Sequence, residues 1–133
     1  MNILVPVDGS PASLRALDYA IAHYPEASFV LLTVQNVEIA SELMYTDWQE
    51  LLEQAAVKAL KEATEKSEAA SVRFETFVRM GAIAETIAQV AREKSIDHIV
   101  MGARGLGSIQ GLLLGSVATK VIHLAEVPIT LIK

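Results

Sequence analysis

The sequence predicts an α/β fold: one domain over residues 1–133, built as a five-stranded parallel sheet with helices on both faces. Two observations carry this. Short apolar runs alternate with segments of helical period, giving the order βαβαβαβαβ. Several of those runs are apolar at consecutive positions, as strands covered on both faces require. Connections between parallel strands should then be right-handed.

Taken in order, residues 3–7 form the first strand. A helix opens at Ser10-Pro11, a hydroxyl cap followed by proline at the first helical position, and Leu14, Leu17 and Ile21 share one of its faces. Residues 29–34 are the second strand. One long irregular stretch, 35–46, leads to a helix that starts at Thr46 or Asp47 and runs to Ser67. Its apolar positions Leu52, Ala56, Ala59, Leu60 and Ala63 recur at helical spacing. Residues 72–78 are the third strand, and the helix after Gly81 turns Ile83, Ile87, Val90 and Ala91 inward. Residues 99–101 are the fourth strand. The last helix starts between Leu112 and Ser116, ends before Pro128, and points Val117, Val121 and Leu124 inward. Residues 129–132 close the sheet, and no repeat or low-complexity tract divides the chain.

Bulk composition narrows the function. Net charge is −5 with no basic cluster, which argues against a nucleic-acid partner. Aromatics make up 5% of the chain, so the core is aliphatic, and the lack of cysteine excludes disulfides and thiolate chemistry. The opening residues lack the basic leader and longer apolar run of a signal peptide. No stretch reaches the roughly 18 apolar residues of a membrane span. A cytoplasmic protein without membrane contact is expected.

The segment with most chemical content is Met101-Gly102-Ala103-Arg104-Gly105, followed after a nine-residue spacer by Gly115-Ser116. It lies between a strand and a helix, where glycines let phosphate approach the backbone and the helix N-terminus offers donors. It is not a P-loop, because no Gly-Lys-Ser/Thr occurs. Nor is it the dinucleotide fingerprint, because Gln110 stands where a third glycine is needed. Read alone, these residues either cradle phosphate or merely shape a tight turn and start a helix. Arg104, between two of the glycines, is either a phosphate partner or a solvent-facing cation.

Here the chain resembles the universal stress protein family over essentially its full length. The likeness rests on Val5-Pro6-Val7-Asp8-Gly9-Ser10, on Gly81 and Ile87, and on Asp97-His98-Ile99-Val100-Met101-Gly102. It continues through the Gly-x2-Gly-x9-Gly-Ser spacing, Leu113-Leu114-Gly115-Ser116-Val117, and Val127-Pro128-Ile129. The resemblance implies the strand order 3-2-1-4-5 of the adenine nucleotide alpha hydrolase-like fold. It also implies ATP binding, with ADP or AMP as the other candidates, by Gly102, Gly105, Gly115 and Ser116, with Val117 in the same turn. In that strand order the first and fourth strands are neighbours whose connections leave in opposite directions, and ligands bind at such a switch point. Asp8 would then face the same crevice and accept from ribose hydroxyls; its other reading is a helix cap, a job for which Ser10 competes. The resemblance further implies that Pro6, Val7 and Val34 line the adenine slot, with Met101 either covering the base or filling the core. Carboxylates and phosphates there can share a Mg²⁺ or Mn²⁺ ion.

One departure matters. Many relatives carry a basic residue in the nine-residue spacer, but here it holds no Lys or Arg, and Gly107 and Gly111 loosen it. Phosphate would be held mainly by backbone N–H groups, with Arg104 as the nearby cation. His23, His98 and His123 fall on separate elements and form no metal or triad spacing, while Lys120 faces solvent. Tyr45 and Trp48, where the irregular stretch meets the second helix, either cap the pocket or meet a partner. The last strand is expected at a sheet edge, and the resemblance implies a homodimer through it, with Val127, Ile129 and Leu131 near the interface. The expected function is regulatory nucleotide binding, coupled to an unidentified protein partner, with little or no hydrolysis. A slow nucleotide hydrolase and a nucleotide-independent structural or chaperone-like dimer are the alternatives.

Overall fold

Strands and helices alternate throughout the residues described in the computed structural model, which are 1–36, 45–105 and 114–133, with the side chains of 45–49 and 52 left outside. The elements are β1 Asn2–Pro6, α1 Pro11–His23, β2 Ser28–Gln35, α2 Tyr45–Ala69, β3 Arg73–Met80, α3 Ile83–Glu93, β4 His98–Gly102, α4 Ser116–Leu124 and β5 Ile129–Ile132. All pairings are parallel and the strand order is β3-β2-β1-β4-β5, as expected.

Strand alternation assigns each side chain to a layer. On β1 and just beyond it, Ile3, Val5 and Val7 join Phe29, Leu31 and Val100 beneath α1 and α2. Leu4, Val30, Leu32, Ile99 and Met101 point the other way, into a second core with Ile87 and Val90 of α3 and Ala118 and Val121 of α4. Both faces of the central strands are therefore covered, which explains their unbroken apolar runs.

The helix faces depart from the sequence reading in two places. The buried side of α1 is Ala12, Ser13, Ala16, Leu17 and Ala20, so small residues let the helix lie close to the sheet while Leu14 and Ile21 flank the contact. On α4 the inward residues are Ala118 and Val121, with Val117 half-buried and Leu124 exposed. In both helices alanine shares the buried face with one larger aliphatic, Leu17 in α1 and Val121 in α4. No helix among the described residues is long and apolar enough to cross a membrane.

Candidate functional site

β1 and β4 lie side by side, yet β1 feeds α1 on one face of the sheet and β4 feeds α4 on the other. The two connections diverge and leave a crevice at the carboxyl ends of the strands. A cavity of about 320 Å³ occupies it. Pro6, Val7, Asp8, Val34, Met101, Gly102, Arg104, Gly105, Gly115, Ser116 and Val117 all border it. Residues remote in sequence thus meet at one place.

The β1 rim is a chain of local hydrogen bonds. Ser10 caps α1, its Oγ accepting from the Ser13 N–H at 3.2 Å, while Ser13 Oγ donates to the Ser10 carbonyl at 3.0 Å. Asp8 is therefore not the cap; its Oδ1 accepts the Ser10 N–H at 2.8 Å, closing the turn from strand to helix. Between them Gly9 has φ +84, a left-handed conformation that glycine adopts without strain, and lies against Ala59 of α2.

On the β4 rim the glycines have separate jobs. A Cβ on Gly102 would lie 3.0 Å from the Ala12 carbonyl carbon and 3.1 Å from Ser13 N, so glycine here admits the first turn of α1. A Cβ on Gly105 would lie 2.5 Å from Asp8 Oδ2, so that glycine makes room for the carboxylate. Ala103 ties the two halves of the glycine motif together, its carbonyl accepting the Gly115 N–H at 2.7 Å. Gly115 is then the N-cap of α4, without a side-chain bond to close the helix end. The first-turn N–H groups of such a terminus, with Ser116 and Val117 beside them, face whatever occupies the cavity.

The inner wall is apolar. Leu32, Val34 and Met101 come from the sheet, Ile83 and Ile87 from α3, and Val117 and Ala118 from α4. Val7 has both main-chain groups engaged: its N–H donates to the Leu32 carbonyl at 2.8 Å, and its carbonyl accepts Thr33 Oγ1 at 2.8 Å. Alternate residues of a parallel strand address the same neighbour. Leu32 addresses β1, so Val34 also turns its N–H and C=O to that side, beyond Pro6, the last β1 residue in register with β2. A donor and an acceptor thus face the crevice at the end of β2.

Sequence reasoning missed Ser10, Ser13, Leu32, Ile83, Ile87, Ala103 and Ala118 as lining residues. Ala103 was visible as the residue between two motif positions. Ile83 and Ile87 read as core residues, and nothing in their spacing distinguishes a core wall from a cavity wall. His23 stacks on Tyr19, and His98 bonds Thr130 Oγ1 at 2.8 Å across β4 and β5. Among the described residues no cluster of His, Cys, Asp or Glu is arranged for a metal. Lys120 is exposed. Gly107 and Gly111 of the spacer, and the side chains of Tyr45 and Trp48, lie outside the described residues.

The model of one family, described as the universal stress protein family, matches residues 1–133. The chain belongs to that family. A universal stress protein of Methanocaldococcus jannaschii is 32% identical, over 99% of this chain and 81% of its own length. Among solved structures, a universal stress protein of Lactobacillus plantarum superposes with a TM-score of 0.84 at 28% identity, covering all of this chain and 97% of that one. Another family member, solved in complex with cAMP, superposes with a TM-score of 0.77 at 27% identity, covering 100% and 97% of the two chains.

Proposed function

We propose that this universal stress protein binds an adenine nucleotide in the crevice and acts as a regulatory module. The observation that carries the reading is the Ala103–Gly115 hydrogen bond of 2.7 Å, which closes the two halves of the glycine motif beside an α4 terminus lacking a side-chain cap. The phosphates lie on the first-turn N–H groups at Ser116 and Val117, with Arg104 as counter-charge. Asp8, at the cavity rim with its Oδ1 on the Ser10 amide, is the carboxylate placed to accept ribose hydroxyls.

The base fills the apolar wall near Pro6, Val7, Val34 and Met101. The outward N–H and C=O of Val34 match the ring-nitrogen acceptor and amino donor that adenine presents. The cAMP complex of the family member described above supports the same ligand class. ATP, ADP and AMP all fit this scheme. An accompanying Mg²⁺ or Mn²⁺ would be held mostly by the phosphates, since Asp8 is the one carboxylate among the described lining residues.

Asp8 and Arg104 are the charged side chains among those residues, so a signalling output is favoured over hydrolysis. A homodimer through β5 accompanies this reading. Among the described residues that strand pairs with β4 alone, and Ile129 and Leu131 on it, with Val127 just before it, are half-buried.

Thermal unfolding with AMP, ADP, ATP and GTP tests the reading. An adenine nucleotide at 100 times its dissociation constant stabilises by about 2.7 kcal/mol, a readily measured shift. Unchanged melting with all three adenine nucleotides at millimolar concentration would overturn it.

A further inference from the structure

Ala103 makes a second hydrogen bond, and it points away from the cavity. Its N–H donates to the Ile132 carbonyl at 2.7 Å, one residue past the β4–β5 register in which Gly102 lies opposite Ile132. The same peptide neighbourhood therefore holds the α4 terminus through the Ala103 carbonyl and the end of the edge strand through its N–H. Ala103 is 3% exposed, so neither bond is shared with solvent. The next carbonyl, that of Lys133, accepts Arg15 Nε at 2.8 Å, which fastens the strand end to α1 as well.

We propose that occupancy of the crevice is transmitted to β5 through Ala103, so that a bound nucleotide fixes the edge strand against β4. The inference rests on the nucleotide reading. Ligand contacts fall on both sides of this residue, at Gly102, Arg104 and Gly105 and at Gly115 and Ser116. Immobilising them suppresses the openings that break the Gly115–Ala103 and Ala103–Ile132 bonds together. Linkage makes the effect reciprocal: a strand added to the open side of β5 tightens nucleotide binding by the same factor.

The strand carries its own control. The carbonyls of Pro128 and Ile132 accept from Ile99 and Ala103, so Thr130 and Ile132 address β4 while Ile129 and Leu131 address the open edge. Residue-resolved amide hydrogen exchange on the full chain, with and without saturating ATP, reads the coupling. Exchange at Ala103 and Ile132 is expected to slow by roughly fivefold or more, the lower end of typical allosteric couplings. Slowing confined to Gly105 and residues 115–118, with Ile132 unchanged, overturns the proposal. Exchange that is unchanged everywhere overturns the nucleotide reading itself, and the coupling with it.

A second variant separates the two tethers. Arg15 is exposed, and Arg15→Ala removes the α1 tether while leaving Ala103 in place. In this variant the unliganded strand end exchanges faster and ATP still slows Ile132. Loss of the ATP effect would route the coupling through α1 instead and overturn the role of Ala103.

Discussion

α1 and α4 follow neighbouring strands at the carboxyl end of the sheet, and they complete their first turns in opposite ways. The terminus of α1 is closed by its own sequence: Ser10 Oγ takes the Ser13 N–H at 3.2 Å, and Ser10 and Ser13 are each only 4% exposed. The terminus of α4 has Gly115 as N-cap, with no side-chain bond. Serine and glycine are both accepted at a helix start, but only serine satisfies an orphan donor itself. The closed terminus serves the fold. The other, without a side-chain cap, borders the cavity.

The largest test converts the open terminus into a closed one. Gly115 has φ −76 and ψ 167, an extended conformation that any residue adopts, so Gly115→Asp introduces a capping carboxylate without backbone strain. The carboxylate occupies the N–H groups and repels phosphate. Nucleotide affinity should fall at least about 100-fold, equivalent to about 2.7 kcal/mol, as measured by isothermal titration. Stability in urea should hold or rise by a few tenths of a kcal/mol, since an N-cap Asp outranks Gly by about that much. Retained affinity would mean that the α4 terminus does not carry the phosphates.

The second test asks how rigidly the closed terminus is built in. Gly102→Ala places a methyl 3.0 Å from both the carbonyl carbon and Cβ of Ala12. Backbone cannot rotate aside as a side chain can, so α1 must shift bodily. Overpacking of this kind costs about 1–3 kcal/mol, which urea denaturation will resolve. A stability change below about 0.5 kcal/mol would show that α1 is seated loosely and that the glycine serves the cavity alone.

These two glycines show where sequence reading reached its limit. Position and spacing marked both as members of one motif at a strand-to-helix turn. The physical reason for Gly102, however, is its contact with Ala12, an approach between elements ninety positions apart that no local pattern encodes. The Ser10 cap and Pro11 start were legible because capping is local chemistry, and α1 begins there. On α1, Leu17 is buried and Ile21 packs against the core, while Leu14 is only half-buried and the small residues Ala12, Ser13, Ala16 and Ala20 complete the buried face, a choice of size that apolar periodicity does not encode. Strand order followed from the family resemblance and holds in the structure. The bridging role of Ala103 was invisible, because alanine carries no chemical signature and acts here entirely through its backbone.

The smallest expected effect comes from opening the closed terminus. Ser10→Ala removes the hydroxyl that accepts from Ser13 but leaves the Ser10 N–H, which donates to Asp8 Oδ1 at 2.8 Å. The cap is lost while the carboxylate keeps its backbone anchor. Stability should drop by about 1 kcal/mol, the usual value of an N-cap hydroxyl, with urea denaturation as the measurement. Nucleotide affinity should stay within about threefold, a difference of roughly 0.65 kcal/mol. A loss of affinity as large as that of Gly115→Asp would mean that both termini address the ligand. The division between a helix end that holds the fold and one that holds the nucleotide would then have to be abandoned.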